Sequence, residues 1–290
     1  NLDGYEDYFY GYMAPSTGML SVFELFTYDD GFVLQLPVKK NPEAVPEFPP
    51  PAKLFNVLKE TTMWSEMLDM HTVGALNEHI AKGSIGEMML VHEALQEQKI
   101  TEIVKMIESR PGIKFVMIAG PSSSGKTTFS HRLSIQLMAR GFKPHPIAVD
   151  DYFVEREQTP VDENGDYDFE ALEAVDVELF NSHMTQLLAG EEVELPRYDF
   201  PTGKSVKSGN RIRLKPGSTL IMEGIHALNP LLTGGIPDEN LFRIYISGLT
   251  VAKDDDGTYY GTTDNRLIRR MVRDSQFRNT TASVSLAPWP

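Results

Sequence analysis

No stretch of this chain constrains its fold more than the one from Phe115 to Gly141. Phe115-Val116-Met117-Ile118-Ala119 is a short continuous apolar run, the form of a strand buried on both faces of a parallel sheet. Gly120-Pro121-Ser122-Ser123-Ser124-Gly125-Lys126-Thr127-Thr128 follows directly and matches G-x-x-x-x-G-K-[ST] in full. Phe129 to Arg140 then reads as an amphipathic helix closed by Gly141. Glycines let such a loop curl so that its N–H groups face phosphate, the helix N-terminus adds positive potential, and Lys126 supplies a point charge. Thr127 is placed to put its hydroxyl on Mg²⁺. The strand, loop and helix together predict a phosphate-binding loop in an α/β protein.

Two more apolar runs end in acids. Pro146-Ile147-Ala148-Val149 leads into Asp150-Asp151, and Thr219-Leu220-Ile221-Met222 leads into Glu223-Gly224. An acid at the carboxyl end of a parallel strand lies beside the ligand crevice. There Asp150 can accept a proton from an attacking hydroxyl or hold Mg²⁺, and Glu223 is the natural second metal-site acid. The alternative for each is a solvated loop carboxylate. Leu241 to Ile246 supplies a fourth strand, completing a mostly parallel sheet flanked by helices. Asp264 can cap a helix from Asn265 to about Phe277, on which Arg266, Arg270 and Arg273 fall at i, i+4 and i+7. Such a basic stripe suits transferring phosphoryl groups, or else pairs with local acids such as Asp274.

Asp plus Glu outnumber Lys plus Arg by 41 to 27, a formal charge of −14, so coating of bulk nucleic acid is not expected. With no cysteine there is neither a disulfide framework nor a thiolate metal site. No apolar run approaches the roughly 20 residues of a membrane helix. The chain opens at Asn1 with acidic Asp3, Glu6 and Asp7, unlike a signal peptide, so the cytoplasm is the expected location and a fragment of something longer is expected.

The organisation divides into three. Residues 1–52 form a small N-terminal region rich in aromatics (Tyr5, Tyr8, Phe9, Tyr10, Tyr12, Phe23, Phe26, Tyr28, Phe32), with a hairpin at Asp30-Gly31 and a stiff linker at Pro46, Pro49, Pro50 and Pro51. Residues 53–110 read as a helical connector, with Ile85, Met88, Met89, His92, Leu95, Ile103 and Ile107 keeping to one face. His71, His79 and His92 lack the i, i+4 spacing of a helical metal site. Residues 111–290 carry the chemistry.

Gly-Pro-Ser-Ser-Ser-Gly-Lys-Thr-Thr at 120–128, Val-Asp-Asp-Tyr-Phe at 149–153, Tyr-Asp-Phe at 167–169, Met-Glu-Gly-Ile-His at 222–226 and Asp-Asn-Arg-Leu-Ile-Arg-Arg at 264–270 resemble, in order and spacing, the uridine kinase and phosphoribulokinase family. Residues 1–110 are similar to the end of a threonyl-tRNA-synthetase-like region that some uridine-kinase-like proteins carry, but lack the His and Cys cluster of an editing site. The resemblance implies a P-loop kinase using ATP and Mg²⁺ on a small-molecule hydroxyl, a nucleoside above all. It implies Asp150 as general base, Thr127 and Glu223 as Mg²⁺ ligands, Asp168 and Tyr198 as contacts to ribose and base, and Arg266 and Arg269 as the arginines reaching substrate and transferring phosphate. Arg270 of the helical stripe remains a second candidate for that contact. The loop residues Gly120 to Thr128 would hold the nucleotide. A homo-oligomer is compatible with this reading. The alternative is a nucleotide-binding regulatory or RNA-associated module without efficient kinase activity.

Two departures from the family pattern follow. Pro201-Thr202-Gly203 stands where the uridine-cytidine kinases carry a histidine that reads the pyrimidine, and the chain stops at Trp289-Pro290 where the family continues into a basic lid and further core elements. Truncation at the C-terminal end is therefore expected, with residues 278–290 packing loosely.

Overall fold

The computed structural model describes residues 12, 14–163, 165–248, 253–277, 281–286 and 289, with Phe277 and Val284 by their backbone alone. The aromatic residues Tyr5, Tyr8, Phe9 and Tyr10 lie outside the described residues, as do Arg278, Asn279 and Thr280. The chain divides into two compact units, Asn1–Thr61 and Thr62–Pro290.

In the first unit, β1 (Glu24–Tyr28) and β2 (Gly31–Gln35) form an antiparallel hairpin with Tyr28 opposite Gly31. Its two-residue turn is Asp29-Asp30, one position earlier than the sequence suggests, with Asp29 taking the left-handed conformation at φ 51° that Asp tolerates better than most residues. Tyr28 packs edge-on against Phe48 and Phe55, at 5.8 and 5.0 Å between ring centroids. The proline-rich stretch is thus held to the hairpin through Phe48. After it comes α1 (Ala52–Met67), within which the division into units falls.

The second unit continues with α2 (Val73–Lys82), capped by the Thr72 hydroxyl and ended by Gly83 at φ 76°, then α3 (Ile85–Glu108). There follow β3 (Phe115–Ala119), α4 (Lys126–Ala139), β4 (Lys143–Ala148), α5 (Val177–Leu188), β5 (Val193–Asp199), β6 (Lys204–Ile212), β7 (Ser218–Glu223), α6 (Pro230–Thr233), β8 (Leu241–Tyr245), α7 (Thr262–Phe277) and α8 (Ala282–Leu286). Four strands make a parallel sheet in the order β4-β7-β3-β8, with Met117 level with Met222 on one side and Arg243 on the other. All five residues of β3 are buried. Side chains alternate across a strand. Phe115 and Met117 therefore join Phe180, Met184 and Leu187 of α5, while Val116 and Ile118 join Leu133 and Leu137 of α4. This is the α/β architecture that the buried apolar runs predict.

Two features go beyond the sequence reading. Ile100, Val104 and Ile107 of α3 are buried in the same cluster as Val116 and Ile118, so the C-terminal half of the helix read as a connector is part of the sheet's outer layer. In addition, β5 and β6 pair antiparallel as a separate ribbon, with Pro196 at a register shift after Glu194, an irregularity of the kind at which proline is admitted to a strand. Of the described residues in 278–290, Thr281, Ala282, Ser283 and Leu286 are exposed, while Ser285 of α8 is buried and its hydroxyl donates to Asp274 on α7 at 3.2 Å.

Ile100→Ala should cost about 2–5 kcal/mol in urea unfolding, the range for truncating a buried aliphatic. Met89→Ala on the exposed face of the same helix should stay within about 0.5 kcal/mol. Equal effects would show that α3 does not dock on the sheet as described.

Candidate functional site

The loop after β3 makes its sharp path with backbone that few residues accept. Gly125, which precedes α4, has φ 98°, and Ser123 has φ 61°. A Cβ at Gly120 would lie 2.5 Å from the Ile246 carbonyl oxygen, so only glycine fits there. Lys126 opens α4, and its ammonium donates to the Pro121 carbonyl at 3.2 Å, folded back over the loop. Burial lowers its pKa, against the pull of Glu223 and Asp150. The Ser123 and Ser124 hydroxyls are buried without hydrogen-bond partners. A curled loop at a helix N-terminus with unsatisfied hydroxyls and a buried cation fits a polyphosphate.

The sheet register brings the two acids together. Ala148 pairs with Glu223, so Asp150, two residues on in a 3₁₀ turn, comes out beside it. The Thr127 hydroxyl donates to Glu223 Oε1 at 2.7 Å. The Asp150 carboxyl is pushed up to about 6, by burial first and the Glu223 charge second, with Lys126 opposing. Asp151 is committed elsewhere, accepting from the Tyr198 backbone N–H at 3.4 Å, and burial raises its pKa. Among the described residues no group of three or more acidic or histidine side chains makes a metal cage by itself. Two carboxylates and a hydroxyl, all hard oxygen donors, fit Mg²⁺, which retains waters and takes substrate phosphate oxygens.

These groups line a cleft of about 1130 Å³. The cations on its lining are Lys126 of the loop and Arg269, Arg270 and Arg273 of α7. The rest of the lining includes the aromatics Phe153, Tyr167, Phe169 and Phe200 and the acids Asp162, Asp166, Asp168 and Glu170. Ser122, Thr127 and Thr128 are also on it, whereas Pro121 contributes its carbonyl to Lys126. The helix carrying the arginines begins at Thr262, so Asp264 sits inside its first turn rather than capping it.

The arginines have separate surroundings. Arg269 Nε donates to the Ser123 carbonyl at 3.1 Å, which joins α7 to the phosphate loop. Arg266 is off the cleft lining, its guanidinium 5.3 Å over the Trp289 ring, and Arg270 stacks on the same ring at 5.4 Å. Arg273 pairs with Asp274 at 2.7 Å, as the local-acid alternative has it. Asp168 faces the cleft but spends one oxygen on the Glu170 and Ala171 N–H groups. Tyr198 is 3% exposed and lies behind the lining, 5.0 Å from Phe200 and 5.5 Å from Phe153 between ring centroids. Phe200 stands on the lining in its place.

Sequence reasoning missed Phe153, Phe169, Phe200, Glu170 and Trp289. The first three lie within or beside the motifs above, so aromatics close to an acid were an available signal. Trp289 had none. Gly203 has φ 70°, and a Cβ there would come within 2.8 Å of Arg156, whose guanidinium donates to the Phe200 carbonyl. A histidine at this position is therefore excluded by the packing of Arg156 as well as absent from the sequence.

A sheet whose central strand runs into a phosphate-binding loop, with acids at the ends of the strands around it, defines a P-loop α/β protein. The Phosphoribulokinase / Uridine kinase family profile matches residues 115–246. The uridine kinase of Deinococcus deserti is 32% identical over 167 residues, covering 57% of this chain and 70% of that protein. The uridine kinase of Lactobacillus johnsonii is 30% identical over 175 residues, covering 60% and 72%. The chain belongs to the phosphoribulokinase and uridine kinase family. It covers 60% of the length of the Halobacterium salinarum uridine kinase, at 27% identity. Among solved structures, a possible uridine kinase from Bacillus stearothermophilus aligns at 23% identity and a TM-score of 0.43, covering 66% of this chain and 96% of that one.

The folded pKa of Asp150, about 6, lies above its ordinary 3.8, so its ionisation costs stability that sets in as pH rises between those values and is complete above them. In the ligand-free protein at pH 7, Asp150→Asn should therefore be the more stable form, by up to about 3 kcal/mol in urea unfolding. The gap should close as pH falls toward 4. A gap that does not change with pH would exclude this carboxyl as its source.

Proposed function

We propose that the protein is an ATP-dependent kinase that moves the γ-phosphate to a hydroxyl of a nucleoside or a related small molecule. The observation that carries this reading is the meeting of Thr127 and Glu223 at 2.7 Å beside a carboxyl, Asp150, raised to about 6. A carboxylate of that pKa is ionised at neutral pH yet basic enough to take a proton from an attacking hydroxyl.

The loop N–H groups and Lys126 hold the β and γ phosphates, and Arg269, tied to Ser123, orients the loop and faces the transferring group. Thr127 and Glu223, with Asp150 adjacent, would hold Mg²⁺, which when bound neutralises phosphate charge. Asp150 takes the proton of the acceptor hydroxyl as the oxygen attacks phosphorus, and ADP leaves. Phe153, Tyr167, Phe169 and Phe200 offer a surface on which a flat ring can stack. Asp162, Asp166, Asp168 and Glu170 can accept from sugar hydroxyls and repel an acceptor that carries phosphate or carboxylate. The names of the relatives agree with a nucleoside. With Gly203 offering no side chain, discrimination between pyrimidine and purine nucleosides should be weak.

We carry the synthetase-like reading of residues 1–110 and a cytoplasmic location as parts of this proposal. Among the described residues no helix is long and apolar enough to cross a membrane.

The test is a screen of uncharged nucleosides and sugars against anionic hydroxyl compounds with ATP and Mg²⁺. Asp150→Asn should keep ATP affinity while cutting turnover by about two to four orders of magnitude, and Lys126→Ala should lose both. Unchanged turnover in Lys126→Ala would sink the assignment. ATP binding with no acceptor phosphorylated would instead favour the regulatory nucleotide-binding module.

A further inference from the structure

The tip of the β5–β6 ribbon is closed on itself and gripped from outside. The Gly203 N–H donates to the Asp199 carbonyl at 2.7 Å and the Thr202 hydroxyl to the Asp199 carboxylate at 2.5 Å, so Asp199 to Gly203 make one tight turn, with Gly203 in the left-handed region at φ 70°. Phe200, second in this turn, is 54% exposed and stands on the cleft lining. Arg156 opens a short 3₁₀ turn six residues after Asp150 and holds the tip twice. Its backbone N–H donates to the Gly203 carbonyl at 2.8 Å, and its guanidinium donates to the Phe200 carbonyl. Between these two bonds the side chain lies over Gly203, where a Cβ would come within 2.8 Å of Arg156 Cβ, Nε and Cζ. The grip therefore requires glycine at 203.

We infer that Arg156 is a positioning residue for the acceptor, holding the Phe200 ring at a set place relative to the Asp150 carboxylate, with Gly203 as its seat. This rests on the kinase reading above and names what aligns the acceptor within it. The ribbon is a separate two-stranded sheet, so the strand register that places Asp150 does not place Phe200. The stretch from Asp150 to Arg156 does, since it is bonded to the ribbon at both ends, through Asp151 to the Tyr198 N–H at 3.4 Å and through Arg156 to the tip. An acceptor whose flat ring rests on Phe200 must bring its hydroxyl within hydrogen-bond reach of Asp150, and a displacement of about 1 Å costs on the order of a hundredfold in rate. Ring contacts from Phe200 to Tyr198 and Phe153, at 5.0 and 6.3 Å between centroids, orient the ring but leave the backbone that carries it to the guanidinium. A charged donor on a carbonyl makes a stronger bond than a neutral one. Arg156 is not among the residues lining the cleft, so it acts through Phe200 and not on the acceptor itself.

Arg156→Met keeps an unbranched stem over Gly203 and removes the donor. In the full chain, kcat/KM for uridine and for adenosine should both fall about tenfold, the scale of a hydrogen bond from a charged group, while the calorimetric Kd for ATP and the urea midpoint stay unchanged. Arg156→Lys, with a charged donor on a similar stem, should recover part of the loss, and Gly203→Ala, which pushes the Arg156 side chain off the turn, should reproduce it. In a Phe200→Leu background Arg156→Met should have no further effect, because the ring it positions is gone. An equal loss in both backgrounds, a parallel loss of ATP affinity, or unchanged nucleoside kinetics in Arg156→Met would overturn the inference. Failure of the kinase reading looks different: the wild type would bind a nucleoside without phosphorylating it, and the same cycle read as calorimetric nucleoside Kd would still decide the role of Arg156. Absence of nucleoside binding to the wild type would overturn both.

Discussion

The burial of β3 on both faces is the constraint on which the rest depends. A strand with five consecutive buried residues needs a helical layer on each side and a strand at each edge, and Phe115–Ala119 obtains all four from α3 and α4, α5, β7 and β8. The phosphate loop leaves the end of this strand, so its first residue is placed by a fully buried element. The close approach of Gly120 to the Ile246 carbonyl follows from the same pairing of β3 with β8.

Register then converts packing into electrostatics. Because β4 and β7 run parallel with Ala148 beside Glu223, two carboxylates end within each other's field in a partly desolvated space. Burial first and the Glu223 charge second raise the pKa of Asp150, with Lys126 offsetting this only in part, while burial lowers the pKa of Lys126 against the pull of the two acids. Both shifts are relieved by ligands of the right charge, a cation for the acids and polyphosphate for the lysine. The site is thus built to be completed by the substrates it is proposed to bind. The pKa of the neighbouring Asp151 is also raised by burial, opposed by the hydrogen bond it accepts from the Tyr198 N–H, which ties the turn after β4 to β5.

The charge of the chain is distributed to the same end. Against a formal charge of −14, the cleft has its cations on the loop and α7, and its acids both at the strand ends, Asp150 and Glu223, and at Asp162, Asp166, Asp168 and Glu170.

The loop, the buried strands, the acids at their ends and the basic helix were legible in the sequence, because each is a local pattern: continuous hydrophobicity, glycine at positions that need unusual backbone, charge at a strand terminus. What stayed hidden depends on distance along the chain. The docking of α3 was read as a connector because helical periodicity shows that a face is apolar without saying what it meets. Arg266, Arg269 and Arg270 could not be ranked from spacing, since the decision between them lies in contacts made with Ser123 and Trp289, outside their own helix. Asp150 and Asp151, and likewise Tyr198 and Phe200, are neighbours of similar type whose different surroundings come from strand pairing and turn geometry. The sequence by itself determined the class of fold and the chemistry available to it, because backbone demands and hydrophobic burial are written residue by residue. Which side chain of each candidate set faces the cleft was decided only by the tertiary structure, because that choice rests on packing between segments that the linear order does not bring together.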